Sequence, residues 1–431
     1  GGVNPVLKLT RVYSNQYKDK ERIMKIINGG ICAPKGFMAS AVQANIKYKN
    51  RTDMAMIFSK TPAVAAGGYT TNLIKAAPVL WDKKITDSDN FVNAIIINSG
   101  IANACTKDMG MECCKQSAIK AASELGVNEN SILLASTGVI GLHLPIDKIC
   151  KGIEELSKSL KQSERNASEA AMAIMTTDTV SKEIAIEFEI GGKIVKMGAM
   201  CKGSGMIHPN MCTMLGFITT DINISKKLLL KALREDVEDS FNMVSVDGDT
   251  STNDSLIILA NCLADNEKIT DENSDEYNLF KSNLNYITTS LSKMIAGDGE
   301  GATALFEVLV EGAKTKEAAR TFAKAVITSS LTKAAIFGHD ANWGRVLCAL
   351  GYSGEKFNPD KMELYFESSK GRILIYKDGL SVDFDGDNAK RILSDDEVRA
   401  IVKLYMGEFS ATAWGCDLTF DYVKINADYR S

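Results

Sequence analysis

The chain has 431 residues, 45% apolar and 24% charged, with a formal net charge of −4. That length amounts to about two to three domain equivalents, or one large two-lobed unit. The acidic balance, with no basic block carrying interleaved aromatics, excludes a general nucleic-acid binder, and no apolar run approaches the ~18 residues that cross a bilayer.

Residues 1–23 open on Gly1-Gly2 and carry Lys8, Arg11, Lys18, Lys20 and Arg22 without a long apolar core. They read as an N-terminal extension or a remnant of expression, not as a secretory signal. The first convincing element comes after Met24. Residues 54–59 and 92–98 are apolar, β-rich runs of strand length and predict buried strands. Residues 110–125 predict a helix stopped by Gly126, and Ile146 to Leu160 predict another. Ile184 to Glu189, Gly191-Gly192 and Ile194 to Met200 form a hairpin signature. Met214 to Thr220 resembles a strand. Ser225 is then expected to cap a helix in which Leu229, Leu233 and Val237 recur on one face. Residues 316–336 look helical, as do 395–406, where Ser394, Asp395 and Asp396 suit a helix N-terminus. Strands, helices and hairpins in this mixture predict an α/β protein, in α+β layers.

The ten cysteines are scattered, with no Cys-x-x-Cys pair, and only His143, His208 and His339 could join them. No zinc spacing can be assembled, and most of the thiols are expected to be reduced and buried, in a cytoplasmic compartment.

The hairpin leads into Lys202-Gly203-Ser204-Gly205-Met206-Ile207-His208-Pro209-Asn210-Met211-Cys212-Thr213-Met214-Leu215. A threonine hydroxyl is a poor nucleophile unless a base stands beside it, and the residue's own freed α-amine is one such base. The glycine-rich approach could bend the Cys212–Thr213 peptide for cutting, although glycines before a strand ordinarily make a turn. Other segments rich in Gly, Thr, Ser and Asn are Asn98-Ser99-Gly100, Ser136 to Gly141, Met175 to Thr179, Ser245 to Asp254, Ala296 to Thr303 and Gly338 to Arg345. Each offers amides and hydroxyls for a polar pocket, and each taken singly reads as a turn. Counting from Asp247 or Asp383 puts Thr252 or Asn388 where a calcium loop needs glycine. No phosphate loop, dinucleotide fingerprint or Gly-x-Ser-x-Gly elbow is present.

Taken together, the motifs resemble the ornithine acetyltransferase family of arginine biosynthesis, the bifunctional glutamate N-acetyltransferase type. The similarity runs from Gly29 to the last residue. It includes Lys-Gly-Ser-Gly-Met-Ile-His-Pro-Asn-Met-x-Thr-Met-Leu, Thr-Thr-Asp-Thr, Gly-x-Asp-Ala-Asn-Trp-Gly-Arg, Ala413-Trp414-Gly415-Cys416-Asp417-Leu418 and the tail Lys424 to Ser431. The resemblance implies a self-processing, N-terminal-nucleophile-like fold of the aminopeptidase and ornithine acetyltransferase group. It implies autocleavage between Cys212 and Thr213 into an alpha chain, 24–212, and a beta chain, 213–431, which remain together, typically as a dimer of heterodimers.

The implied reaction moves acetyl from N2-acetyl-L-ornithine to L-glutamate through an acetyl-Thr213 ester, with no metal or cofactor; acetyl-CoA is left open as a second donor. By motif position Thr137 and Gly138 would form the oxyanion hole, and Thr177, Lys202, Thr213, Glu300, Asn426 and Ser431 would contact substrate. Three features depart from the family pattern: Cys212 stands where alanine is common, Ile101 replaces an asparagine, and the segment before Met24 has no counterpart. The competing expectations are a self-cleaved amidase or aminopeptidase of the same group, and an uncleaved binding protein.

Overall fold

The computed structural model describes residues 24–208 and 214–428. The extension 1–23, Cys212 and Thr213 at the expected cut, and Ser431 lie outside the described residues.

Two sheets organise these residues. In the first, the order is Lys25–Ile27, Lys182–Ile190, Lys193–Lys202, Leu215–Thr220, Ser255–Ala260, Met54–Tyr69, Val92–Ile101 and Ile132–Val139, with Phe37–Val42 paired to Met54–Tyr69 beside this path. Most neighbours are antiparallel. The Leu215–Thr220 and Ser255–Ala260 strands are parallel to each other, as are Val92–Ile101 and Ile132–Val139. These strands are buried on both faces, which is why they read as nearly continuous apolar runs. Period-2 alternation divides them: Ile95, Ile97, Leu133 and Ala135 enter one apolar cluster, whereas Ala94, Ile96, Ile132 and Leu134 enter another.

The second sheet runs Leu380–Ser381, Gly371–Lys377, Glu363–Ser368, Glu397–Lys403, Leu305–Ala313, Phe409–Cys416 and Val244–Ser245. A long helix, Asp275–Gly297, packs against strands of both sheets. Ser274 caps it by accepting the Tyr277 N–H, and Asp275 and Glu276 occupy its first turn, where the helix dipole favours negative charge. Tyr277, Phe280, Leu284, Ile287 and Leu291 recur at helical spacing and are wholly buried. This helix ends where the Asp298-Gly299-Glu300 turn begins, so its packing fixes that turn.

The expected hairpin forms as Lys182–Ile190 and Lys193–Lys202, turning at Gly191-Gly192. The expected helix over 110–125 spans Lys107–Leu125 and stops at Gly126, whose N–H bonds the Ala122 carbonyl. Ser225 does precede a helix, Lys226–Asp239, but its side chain makes no capping bond. The 316–336 stretch divides into Lys316–Ile327 and Ser330–Phe337, because Ser329 caps a second helix by accepting the Thr332 N–H.

Residues 395–406 are not a helix. Glu397–Lys403 is an interior strand, parallel to Leu305–Ala313 and antiparallel to Glu363–Ser368. Its alternation of buried Val398, Ala400 and Val402 with half-exposed Arg399 and Lys403 outweighs the acidic lead-in. Nor does burial account for most cysteines: Cys32, Cys114, Cys201 and Cys416 are buried, but Cys105 and Cys348 are exposed. No helix among the described residues is long and apolar enough to cross a membrane.

Because Phe280 is 0% exposed and helps hold the bridging helix to both sheets, Phe280→Ala is expected to cost about 3–5 kcal/mol. A shift of the denaturant midpoint to lower concentration measures it; an unchanged midpoint would remove this helix from the stability-determining core.

Candidate active site

The Lys193–Lys202 strand ends at Lys202, which pairs across the sheet with Leu215, the first residue of the returning strand. The chain therefore leaves the sheet after Lys202 and returns at Leu215, at the same end of two neighbouring strands. Beside it, Ser251, Asn253 and Asp254 lead into Ser255–Ala260, and the Ser255 N–H bonds the Met214 carbonyl at 2.9 Å. A cavity of about 270 Å³ opens at these strand ends. Thr137, Gly138, Thr177, Lys202, Glu300 and Asn426 all line it, as does Met214, the covalent neighbour of Thr213.

Thr137 and Gly138 sit at the end of the Ile132–Val139 strand. Gly138 lies opposite Gly100 with φ +127, and a Cβ there would come within 2.3 Å of the Gly100 carbonyl carbon. Only glycine fits both the backbone conformation and the close strand approach. The strand is held in place by polar side chains: Ser136 donates to Asn98 Oδ1 at 2.6 Å, and Asn253 Nδ2 donates to the carbonyls of Ala102 and Ser136 at 2.6 and 2.8 Å. Ile101 adds nothing polar from its side chain, which is buried in an apolar cluster; its carbonyl accepts from Asn98.

Lys202 Nζ donates to Thr137 Oγ1 at 3.2 Å. Burial lowers the Lys202 pKa, against the opposing pull of Asp178, Asp254 and Glu300. Glu300 closes the other side. Its carboxylate lies so near the Gly205 backbone that a Cβ at 205 would meet it at 2.2 Å, and Glu300 Oε2 accepts from Asn426 Nδ2 at 2.7 Å. Asn426 comes from the helix Phe420–Asp428, which is also tethered by the Tyr422 hydroxyl to Asp247 at 3.2 Å.

Beneath the cavity lies an ion cluster that sequence reasoning missed. Lys182 Nζ, 1% exposed, contacts Asp178 Oδ1 at 2.7 Å and Asp298 Oδ2 at 2.6 Å. Asp178 also accepts the N–H groups of Gly203 at 2.7 Å and Thr176 at 3.0 Å. Asp298 accepts the Thr179 N–H at 3.0 Å and the Thr179 hydroxyl, and its own carbonyl accepts from Ser204 Oγ at 2.6 Å. Burial alone would raise the Asp178 carboxyl, but the Lys182 and Lys202 ammonium groups and the Gly203 N–H hold it at about 2. Burial would likewise lower Lys182, and its two carboxylates raise it instead. Asp178 was legible within Thr-Thr-Asp-Thr; Lys182, at the start of a hairpin, carried no local signal.

Asp254, Asn253, Ser251, Thr176 and Ile140 also line the cavity. The Gly338 to Arg345 segment does not. Asn342 caps the helix Trp343–Gly351 there, and Trp343 stacks on Tyr376 with ring centroids 5.6 Å apart.

A cavity with a hydroxyl, a glycine backbone, a buried ammonium and carboxylates on separate walls suits an enzyme for small charged compounds. The chain belongs to the ArgJ family, whose sequence profile matches residues 38–431. It is 52% identical over 395 residues to the arginine biosynthesis bifunctional protein ArgJ 1 of Clostridium acetobutylicum, covering 92% of this chain and 96% of that protein. It is 42% identical over 412 residues to the protein so named in Bacillus subtilis, covering 96% and 99%. Among solved structures, the bifunctional protein argJ of Bacillus halodurans is similar at 42% identity and a TM-score of 0.47, over 49% of this chain and 98% of that one.

Lys182→Met would leave two buried carboxylates facing each other without their cation, at an expected cost of about 3–5 kcal/mol. The acid limb gives an independent check. The Asp178 pKa is lowered on folding, so its stabilisation is present above the unfolded value of about 3.9 and is lost as pH falls through about 2. Denaturant midpoints measured across this window should fall for the wild type and stay flatter for Asp178→Asn. Parallel acid limbs would show that Asp178 gains nothing from Lys182.

Proposed function

We propose that this chain is a cytoplasmic glutamate N-acetyltransferase of arginine biosynthesis, moving acetyl from N2-acetyl-L-ornithine to L-glutamate. The observation that carries the reading is the convergence, on one cavity beside Met214, of the six described residues that the family resemblance names. Family membership and relatives named for arginine biosynthesis support the same activity.

In this mechanism the chain cuts itself between Cys212 and Thr213, giving alpha and beta chains that stay associated and assemble as a dimer of heterodimers. The pairing of Lys202 with Leu215 supports survival of the sheet after a cut, because strands on both sides of it remain hydrogen-bonded. The fold falls with the self-processing N-terminal-nucleophile group.

The Thr213 oxygen attacks the acetyl carbonyl while the Thr213 α-amine takes the hydroxyl proton. Thr137 Oγ1 and the Gly138 N–H stabilise the oxyanion. The amide bond breaks, ornithine departs with its nitrogen protonated, and an acetyl ester remains on Thr213. The glutamate amine then attacks the ester, Thr213 recovers its hydroxyl proton, and N-acetylglutamate leaves. The acyl bond energy is kept throughout, so acetyl transfer between the two amino acids needs no nucleotide.

Lys202 suits the substrate carboxylate, Glu300 with Asn426 suits the ornithine side-chain ammonium, and Thr177 and Ser431 complete the contacts. Acetyl-CoA would enter the same cycle as an alternative donor to Thr213.

Intact-mass spectrometry of the denatured protein, before and after incubation with N2-acetylornithine, tests this reading. The expected result is two fragments split at Cys212/Thr213, the C-terminal one gaining an acetyl group. A single chain with no adduct would favour an uncleaved binding protein, and cleavage with release of acetate to water would favour an amidase. Thr213→Ala should abolish both cutting and transfer. Thr137→Ala should slow transfer by about 10²–10³ while leaving a folded, cleaved enzyme; unchanged turnover would remove Thr137 from the oxyanion hole.

A further inference from the structure

Asp254 is used by none of the steps above, yet it lines the cavity and is only 2% exposed. Its Oδ2 is buried and has no hydrogen-bond partner among the described residues. A carboxylate oxygen left in that state is costly, so a native site ordinarily retains one for a ligand or a proton. Its position is set by strong constraints. The next residue, Ser255, donates its N–H to the Met214 carbonyl, and the Asp254 carbonyl accepts the Thr70 N–H at 3.0 Å. The carboxyl is therefore fixed beside the strand that Thr213 precedes in sequence.

The acetyl-transfer chemistry leaves one proton unassigned. Ornithine leaves an amide as an amine and is released as an ammonium ion, and glutamate arrives as an ammonium ion that cannot attack. The Thr213 hydroxyl proton accounts for only part of this exchange. We infer that Asp254 is the proton carrier of the transfer, giving a proton to the departing ornithine nitrogen and taking one from the incoming glutamate nitrogen. The inference rests on the acetyl-transfer reading above.

In the first half, the amide, the Thr213 hydroxyl and the Asp254 carboxylic acid become ornithine ammonium, acetyl-Thr213 ester and Asp254 carboxylate. The C–N bond breaks, the C–O bond forms, and the two protons complete the ammonium. In the second half, Asp254 carboxylate takes a proton from glutamate ammonium and the freed amine attacks the ester. The C–N bond then forms, and Thr213 recovers its hydroxyl proton as the C–O bond breaks. Asp254 ends the cycle as the acid it began as, so no proton needs to come from bulk water.

The surroundings suit both states. Burial pushes the Asp254 carboxyl well above the usual carboxylate range, against the pull of Lys202 and of hydrogen bonding from Ser251. The resting acid is thereby favoured, and the Lys202 charge is near enough to support the transient carboxylate.

Asp254→Asn tests the assignment, with cleavage scored first by gel and the acetyl-enzyme loaded with p-nitrophenyl acetate, whose phenolate leaves without needing a proton. Deacylation is then followed with glutamate and with hydroxylamine, which is already neutral near neutral pH and needs no base. The expected result is a loss of roughly 100-fold with glutamate, little change with hydroxylamine, and partial recovery of the glutamate rate in Asp254→Glu. Wild-type rates with glutamate in the asparagine variant would overturn the inference, as would equal losses with both nucleophiles. If both variants remain uncleaved, the carboxylate serves maturation and the inference also fails. A wild-type enzyme that takes no acetyl group from N2-acetylornithine would overturn the proposed function itself, and this inference with it.

Discussion

The cavity depends on a charge placed where water cannot reach it. Lys182 stands between Asp178 and Asp298 with almost no exposure, and removing three charged groups from water is costly. The cost is offset because the partners are satisfied almost completely, largely by backbone N–H groups from different segments. Asp178 joins the Thr176-Thr177 loop to Gly203, and Asp298 joins Thr179 to the turn holding Glu300. Each of these segments carries one residue of the candidate site: Thr177, Lys202 or Glu300. Apolar packing of the same volume could stabilise the fold as well, but it could not align three loops through directional bonds. The cluster therefore fixes distances between walls of the cavity that no single secondary-structure element connects.

Much of the fold was legible from side-chain periodicity. The buried strands at 54–59 and 92–98, the hairpin at Gly191-Gly192 and the helix ending at Gly126 follow from local chemistry that tertiary packing did not contradict. The failure at 395–406 has a specific cause. Ser394 with two aspartates looks like a helix start, but Ser394 instead follows the helix Gly386–Leu393, and the next residues enter an interior strand. Alternation over Val398, Ala400 and Val402 was the stronger physical signal, since two neighbouring strands satisfy its backbone. The division near Ser329 was missed for the opposite reason: both halves are apolar and helical, and only the serine's capping bond separates them.

The site was legible through several long motifs taken together, because each one alone is a loop of polar small residues. Sequence order could not show that segments around 137, 177, 202, 254 and 300 line one cavity. It also hid which acidic residues are buried. Asp247, Asp249 and Asp254 lie in one polar run, yet Asp247 is spent on the N–H groups of Met206 and Ile207, while Asp254 alone is buried against the cavity. Lys182 is the converse case, a charged residue beside a hairpin that would ordinarily face solvent. Burial is a property of the assembled sheet, and only the fold separates a paired interior lysine from a surface one.

Desolvation then acts on the two sides of the cavity in opposite senses. It weakens the charge on Lys202 and favours the neutral form of Asp254. Burial thus acts against the charged form of each group. A substrate carboxylate arriving near Lys202 would add to the pull that Asp178, Asp254 and Glu300 already exert on its ammonium, while an amine near Asp254 would accept or donate a proton. In the proposed reaction, donor and acceptor amino acids share both groups at one spacing, an α-carboxylate and an α-nitrogen. Water offers neither a carboxylate to engage Lys202 nor a basic nitrogen to exchange a proton with Asp254. In that proposed reaction, the same burial that perturbs these two groups would favour an amino acid over water as the acceptor of the acetyl group.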